Sequence, residues 1–397
     1  MIKALSLFFL IAISQTAFTD DLYSIEISSE DSPPGTPPLT QTYSNIDDLI
    51  KATEQKNIAL PGYTQDSQAT IDIMLGNTPA TISYVSDKSD LRFLVDTCNI
   101  DKTFLGESRT INENSFRDYI NNNEDDVLGT ISRCLVRDNP HDPVAVAFRD
   151  WVEFDDAFRS NSNIEESQEN FGLGLAAGHF STGKQSHDII TLPLSYTHYF
   201  EEPGRKLKLT APLSYINVNG SKAYKGSLGV AYTKPMNDRW TIIPAARLGI
   251  TASNDMGTAA TIASVLVTNV YEFPYKNKHV TLANMVGVLK TLDVDIGDFK
   301  SYYDLNNQVI KNGIAVEFPQ TYNMFGGKTS IRTSLANTQF FGDEMRVNNY
   351  TDIAVSFGTR RKVGGKDNSQ DSIQLGFTYT VGNHGYKGGK LNFGYEF

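Results

Sequence analysis

The second half of the chain alternates apolar and polar side chains with a period of two. This is the pattern of β-strands that have one apolar and one polar face, and turn-forming residues interrupt it repeatedly. The pattern predicts 12 strands. They cover 171–180, 189–200, 206–216, 222–234, 239–251, 259–273, 279–291, 308–318, 328–338, 350–360, 371–381 and 390–397.

The character of the two faces separates a membrane barrel from a secreted β-sandwich. In a sandwich the apolar face would meet a second sheet, whereas in an outer-membrane barrel it meets lipid and the other face lines a polar lumen. An even number of strands also suits a closed up-and-down barrel. We therefore expect an all-β membrane barrel of 12 antiparallel strands. The non-lipid face carries mid-strand cations, at Lys206, Lys208, Arg247 and Arg332.

Both ends of the chain carry targeting patterns. Lys3 precedes an apolar run from Ala4 to Ile13 that is too short to span a bilayer, which predicts a secretory signal peptide over residues 1–19. The last strand, KLNFGYEF, ends in alternating apolar residues and resembles the C-terminal insertion signal of bacterial outer-membrane proteins. Its apolar positions are Leu391, Phe393, Tyr395 and Phe397.

These patterns predict the outer membrane of a Gram-negative bacterium as the location. The expected partners are outer-membrane lipid, lipopolysaccharide and the barrel-assembly machinery during insertion. We expect no nucleic acid, no specific small-molecule ligand and no cofactor. We also expect no metal, because the acidic run NNNEDDV lacks the spacing and central glycine of a calcium loop.

Charge divides the chain into two parts. Residues 20–170 hold 29 Asp and Glu against 11 Lys and Arg, a net charge of −18, whereas residues 171–397 hold 17 against 23, a net charge of +6. Opposite charges allow the two parts to attract each other. We expect a small acidic α+β domain at residues 46–142, preceded by a flexible Pro- and Ser-rich segment at residues 20–45.

The two cysteines, Cys98 and Cys134, lie in the acidic domain of a chain predicted to leave the reducing cytoplasm. A disulfide between them is favoured, and it would contribute on the order of 3–4 kcal/mol by the chain-entropy argument. A metal site, which would require more ligands nearby, and two buried free thiols are the alternatives.

Residues 143–170 are expected to form a linker or a pore helix. In DPVAVAFRDWVEFDDAFR, Pro143 suits a first helical turn and apolar residues recur at helical spacing. An acidic helix inside a basic lumen would be electrostatically favourable. A surface helix packed on the N-terminal domain is the alternative.

A C-terminal barrel of this size, preceded by a helix and a secreted segment, resembles the translocator of autotransporter proteins. Residues 20–140 lack the repeats of a long β-helical passenger, so the chain most resembles the solitary autotransporter-like barrels. The resemblance covers residues 171–397. It implies a non-enzymatic membrane anchor, a translocator, or a narrow plugged pore for the N-terminal domain; an open diffusion channel is an alternative.

One motif supports a different class of function, a lipid hydrolase. His179 and Ser181 lie two residues apart, so both point to the lipid face of the first strand. The pair resembles the active-site strand of outer-membrane phospholipases and lipid A deacylases, in which His activates Ser against an acyl ester. Gly183 and Lys184 continue that resemblance. The sequence does not assign an Asn, Asp or Glu that would orient His179.

Overall fold

The structure is a computed structural model, and it describes most of the chain from Tyr23 to Glu396. The predicted signal peptide and Phe397 lie outside the described residues. The described residues are 23–43, 48, 60–64, 67–75, 78–85, 89–121, 127–150, 154, 168–296, 299–301, 303–324, 327–360 and 372–396.

The N-terminal part is an α+β domain built on a six-stranded antiparallel sheet with strand order β2-β1-β3-β4-β5-β6. Within the described residues, two helices of more than two turns, α1 and α2, accompany the sheet, and a shorter helix, α3, follows. The strands are β1 (Tyr23–Ser29), β2 (Leu39–Tyr43), β3 (Ala69–Leu75), β4 (Thr78–Val85), β5 (Asp90–Val95) and β6 (Ile100–Phe104). The helices are α1 (Arg109–Asn121), α2 (Val127–Asp138) and α3 (Pro143–Phe148).

The structure departs from the expected flexible segment at residues 20–45, because β1 and β2 lie there. Alternate side chains of β1 enter the core: Tyr23 is 5% exposed and Ile25 is 2% exposed. Strand β1 pairs with both β2 and β3, so residues that were expected to be flexible form a strand inside the sheet. The Pro-rich stretch is the connection between β1 and β2 rather than the whole segment.

A disulfide joins Cys98 and Cys134, with a Cα–Cα distance of 5.7 Å. Cys98 ends the 3₁₀ turn Asp96–Cys98 after β5, and Cys134 lies on α2. Both cysteines are buried. The bridge therefore ties α2 to the β5–β6 connection, as the sequence favoured.

The C-terminal part is a closed 12-stranded antiparallel barrel. The last strand, β22, pairs with the first, β7, along the register Leu391↔Ala177, and this pairing closes the sheet. The strands are β7 (Gln168–Thr182), β8 (Gln185–Leu192), β9 (Leu194–Tyr199), β10 (Lys206–Thr210), β11 (Leu213–Val218), β12 (Ser221–Pro235), β13 (Trp240–Ser253), β14 (Thr258–Tyr275), β15 (Lys278–Leu292), β18 (Asn306–Met324), β19 (Gly327–Gly342), β20 (Asn349–Arg360), β21 (Ser372–Gly382) and β22 (Lys387–Glu396).

Two of the 12 strands are interrupted, which is why 14 segments make the barrel. Pro193 separates β8 from β9, and Pro212 separates β10 from β11. Proline has no N–H to donate to a neighbouring strand. The carbonyls still bond across the breaks: the Gly174 N–H donates to the Pro193 carbonyl at 3.0 Å, and the Ser227 N–H donates to the Pro212 carbonyl at 3.2 Å. The barrel therefore stays closed at both breaks.

The outer surface of the barrel is apolar. The inner surface is mixed: polar and small side chains line it, together with apolar ones such as Leu266 and Met285 that share a hydrophobic cluster with Phe148. Along β12, Leu228 is 71% exposed, whereas its inward neighbours include the buried Lys225 and Thr233. Such an apolar outer band on a closed barrel is suited to lipid. Within the described residues, no helix has the length and apolarity required to cross a membrane.

The barrel has two rims, which differ in what lies against them. We call the end where β7 begins and β22 ends the proximal rim; the turns at 200–205, 236–239 and 276–277 also lie there. The opposite end is the distal rim. It carries the turns at 183–184, 219–220, 254–257, 343–348 and 383–386, and the loop 293–305 with the small hairpin β16 (Val294–Ile296) and β17 (Phe299–Ser301).

Candidate functional site

The N-terminal domain packs on the distal rim of the barrel. The Tyr23 hydroxyl donates to the carbonyl of Met256, in the β13–β14 turn, at 3.5 Å. The Arg346 N–H, in the β19–β20 loop, donates to the carbonyl of Arg137 at the end of α2 at 2.7 Å. Val218 of the barrel belongs to the hydrophobic cluster of the domain. Burial at this interface raises the pKa of the Tyr23 phenol.

Helix α3 lies inside the barrel, in contact with β12, β13 and β14. Asp142 caps it: its carboxylate accepts from the Val144 N–H at 2.8 Å, and Pro143 occupies the first turn. Val144 and Phe148 are fully buried. The described helix Pro143–Phe148 has six residues, and Phe154 further along the motif is also helical. The pore position is therefore observed for the described part of the expected segment.

An ion cluster anchors the chain just after α3. Asp150 forms a buried ion pair with Lys225 of β12. The Arg247 guanidinium of β13 donates to the Asp150 carbonyl at 2.8 Å and lies 4.0 Å from its carboxylate. The side chains of Lys225 and Arg247 are only 5% and 10% exposed. We call the segment between Asp138, at the end of α2, and Gln168, at the start of β7, the connector. Two cations of the barrel wall therefore hold one carboxylate of the connector within the lumen.

A ring cluster surrounds the point where the connector leaves the domain. The Nδ1 atoms of His141 and His187 lie 2.7 Å apart, and both side chains are buried. His187 stacks on Phe180, which in turn stacks on Tyr386. The Arg149 guanidinium lies 4.8 Å from the centroid of the Tyr386 ring. The connector is thus held to β7, β8 and the β21–β22 turn as well as to the opposite wall.

Below these contacts the lumen contains a cavity of about 300 Å³. The predicted lumen-facing cations are placed as follows. Lys208 and Arg332 line this cavity, Arg332 donates to Glu317 at 2.9 Å, and Arg247 binds Asp150. Lys206 lies two residues before Lys208 on β10, on the same face of the strand.

The outer surface near the distal rim holds the predicted His179 and Ser181. The Nδ1 atom of His179 lies 2.8 Å from Oδ1 of Asp188, which is directly opposite on β8. Ser181 lies opposite Ser186 on β8 and Lys387 on β22. Sequence reasoning missed Asp188, although its period-two spacing from Ile190 and Leu192 on the outward face was visible in the sequence.

The predicted insertion-signal residues lie on the last strand with their side chains toward the outside. Leu391 is 53% exposed and Phe393 is 47% exposed, and Tyr395 is half-buried. Phe397 is outside the described residues. The outward apolar side chains of β22 continue the apolar band of its neighbours β7 and β21.

The architecture is that of an outer-membrane-type β-barrel with part of its own chain inside the lumen. No protein-family model matches the sequence, and no curated protein matches it at a significant level.

Several solved structures are similar to the chain at low sequence identity. The β domain of the Bordetella autotransporter BrkA is 11% identical, with a TM-score of 0.44 over 58% of this chain and 98% of that chain. The translocator domain of the autotransporter NalP from Neisseria meningitidis is 11% identical, with a TM-score of 0.45 over 64% and 95%. The NanC porin is 14% identical, with a TM-score of 0.33 over 57% and 98%. The expectation of a closed 12-stranded barrel is confirmed by the strand pairing of the structure itself.

Proposed function

We propose that this protein is a self-plugged outer-membrane anchor that displays its N-terminal acidic domain at the outer face of the cell. The observation that carries the proposal is the path of the chain. The domain lies on the distal rim, Asp150 and Phe154 lie in the lumen, and β7 begins at the proximal rim with Gln168. The chain thus occupies both ends of the barrel and the lumen between them.

The orientation in the membrane follows from the route of insertion. A barrel that inserts from the periplasm keeps short turns on that side and longer loops outside. Among the connections that the structure describes, the proximal turns at 200–205, 236–239 and 276–277 are short, and the longest loop, 293–305, lies at the distal rim. We therefore assign the proximal rim to the periplasm, and the domain on the distal rim to the outside.

The contacts of the connector support a closed pore. The buried Asp150–Lys225 pair and the fully buried Phe148 fill the lumen between opposite walls. Phe154 packs there as well, 4.9 Å from Lys311 Nζ of β18. An open diffusion channel would need a continuous water path at this level. We infer that the wild-type protein conducts little or nothing.

The display proposal is tested by labelling single cysteines on intact cells with a membrane-impermeant maleimide. Glu26 is exposed on β1 of the domain, and Asp238 is exposed in a proximal turn. We expect Glu26→Cys to react on intact cells and Asp238→Cys to react only after the outer membrane is permeabilised. Both variants keep Cys98 and Cys134, so the unsubstituted protein gives the background.

Two results would contradict the proposal. If Asp238→Cys reacts on intact cells and Glu26→Cys does not, the barrel has the opposite orientation. If neither reacts until permeabilisation, the domain is not displayed. A heat-modifiable band on gel electrophoresis must first show that each variant has a folded barrel.

A further inference from the structure

The outward face of β7 and β8 near the distal rim brings an imidazole and a carboxylate into direct contact. His179 Nδ1 and Asp188 Oδ1 are 2.8 Å apart on paired strands, and their side chains are 62% and 64% exposed. A carboxylate on Nδ1 fixes the tautomer and the orientation of a histidine ring. Nε2 then becomes the nitrogen available to accept a proton.

Ser181 supplies a hydroxyl on the same face. It follows His179 by two residues on β7, so both side chains point outward. Lys387 lies directly opposite Ser181 on β22. A nucleophile beside a base that a third group orients is the arrangement that acyl transfer needs. None of these residues takes part in the contacts of the connector described above.

The position of the group on the barrel indicates the substrate. Two residues toward the proximal rim, Ala177 pairs with Ile190 and Leu391, which are 50% and 53% exposed at the edge of the apolar band. A lipid beside this wall has its acyl chains against the band, and its ester carbonyls lie where the band ends. Lys387 is then within reach of a headgroup phosphate.

We propose that Ser181 and His179 are the catalytic residues of an acyl-ester hydrolase, with Asp188 as a positioning residue and Lys387 as a phosphate-binding residue. The substrate is a phosphate-bearing lipid in the membrane leaflet at the distal rim. Glycerophospholipids and lipid A share this chemistry, because both carry acyl esters near phosphate groups. The proposal does not depend on display of the N-terminal domain.

The reaction balances with water as the second substrate. Ser181 Oγ attacks the ester carbonyl carbon while its proton passes to His179 Nε2. The bond from this carbon to the alkoxide oxygen then breaks, and Nε2 returns the proton to the leaving alkoxide. Water attacks the acyl-serine in the same way, giving its proton to Nε2. A free fatty acid leaves, and the serine regains its proton.

The test uses the full-length protein in two separate vesicle preparations, one of glycerophospholipid and one containing lipid A, with released fatty acid measured by mass spectrometry. We expect release from at least one preparation, and the preparation that reacts identifies the lipid. Ser181→Ala and His179→Asn should each lower the rate by about 10²–10⁴-fold. The matched control is Ser186→Ala, which removes the hydroxyl opposite Ser181 and should retain the wild-type rate.

Two further variants separate a chemical role from a structural one. Asp188→Asn should lower kcat, and Asp188→Glu, which keeps a carboxylate, should restore part of it; a purely structural residue would not separate the two variants by charge. Lys387→Met should raise KM more than it lowers kcat. A fluorophosphonate probe should modify Ser181 in the wild type and not in the His179→Asn variant.

Several outcomes would overturn the proposal. These are no fatty acid from either lipid, equal rates for wild type and Ser181→Ala, or an equal loss in Ser186→Ala, which would point to general damage of the surface. All variants must show the heat-modifiable mobility of a folded barrel. The probe experiment reports on Ser181 directly, and a wild-type protein without the adduct would contradict the assignment independently of the choice of lipid.

Discussion

We call the part of the connector that lies in the lumen, α3 together with Asp150 and Phe154, the plug. Removal of the Asp150 carboxylate is expected to weaken the attachment of the plug to the barrel wall. Asp150→Asn leaves Lys225 and Arg247 without their counter-charge, with side chains only 5% and 10% exposed. Removing one partner of a buried ion pair costs about 3–5 kcal/mol, because the remaining charges stay in a poorly solvated site. The contact between Arg247 and the Asp150 backbone carbonyl remains in this variant.

The loss of this ion pair should increase the fraction of time for which the plug is displaced and the lumen is open. A plug held by about 5 kcal/mol, near the lower end of domain stabilities, is displaced about 2 × 10⁻⁴ of the time. A loss of about 3–5 kcal/mol raises that fraction to between about 3% and about one half. The assay is single-channel recording in a planar bilayer. Wild type should be nearly silent, and Asp150→Asn should show frequent openings.

Two controls accompany the recording. Asp101→Asn breaks an exposed ion pair with Arg92 on the N-terminal domain, where the side chains are 53% and 40% exposed, and should leave the record unchanged. The double variant Asp150→Leu with Lys225→Met removes both charges of the pair and should close the channel more than Asp150→Asn does. A steady conductance in wild type, or identical records for wild type and Asp150→Asn, would refute the reasoning.

Three further predictions concern stability. Cys98→Ser should lower the free energy of unfolding of the N-terminal domain by about 2–5 kcal/mol in a urea titration, with the heat-modifiable mobility of the barrel unchanged; loss of both together would contradict it. Leu228→Arg, on the lipid face, should destabilise the barrel by about 2–4 kcal/mol, while Leu228→Phe should have little effect. Phe148→Ala, inside the lumen, should lower the free energy of unfolding by about 3–5 kcal/mol and speed hydrogen exchange of α3, while the lipid-facing surface around Leu228 stays unchanged. Unchanged exchange of α3 would mean that the helix does not pack in the lumen.

The barrel was predictable because each strand has to satisfy two different solvents. Lipid on one face and lumen on the other impose alternation on every strand, so the 12 strands could be read from the pattern with ends displaced by a few residues. The breaks within two of these strands were harder to predict from the sequence. Pro193 and Pro212 each remove a backbone N–H but leave the alternation of apolar and polar side chains intact. The alternation therefore continues across the two positions at which the hydrogen bonding between strands is interrupted.

The contacts that define the candidate sites could not be read in the same way. Strand β1 was missed because its alternation is short, because it adjoins a Pro-rich stretch, and because its partner β3 begins at Ala69. The pairing of Asp188 with His179 depends on the register of β7 and β8, which the intervening turn sets. The Asp150 pair links residues 75 positions apart. Register and distant contacts are properties of the folded chain, and one sequence alone does not specify them.

In the proposed orientation, the position of the N-terminal domain on the distal rim would also prevent the protein from sliding back through its own barrel. Phe148, Asp150 and Phe154 already occupy the lumen, which leaves no passage there for a folded six-stranded sheet with its helices. Detachment toward the cell interior would require the domain to unfold first, and the Cys98–Cys134 bridge resists that unfolding. If the domain is displayed as proposed, it must cross the membrane before it folds, and once folded it stays on the outer side of the barrel.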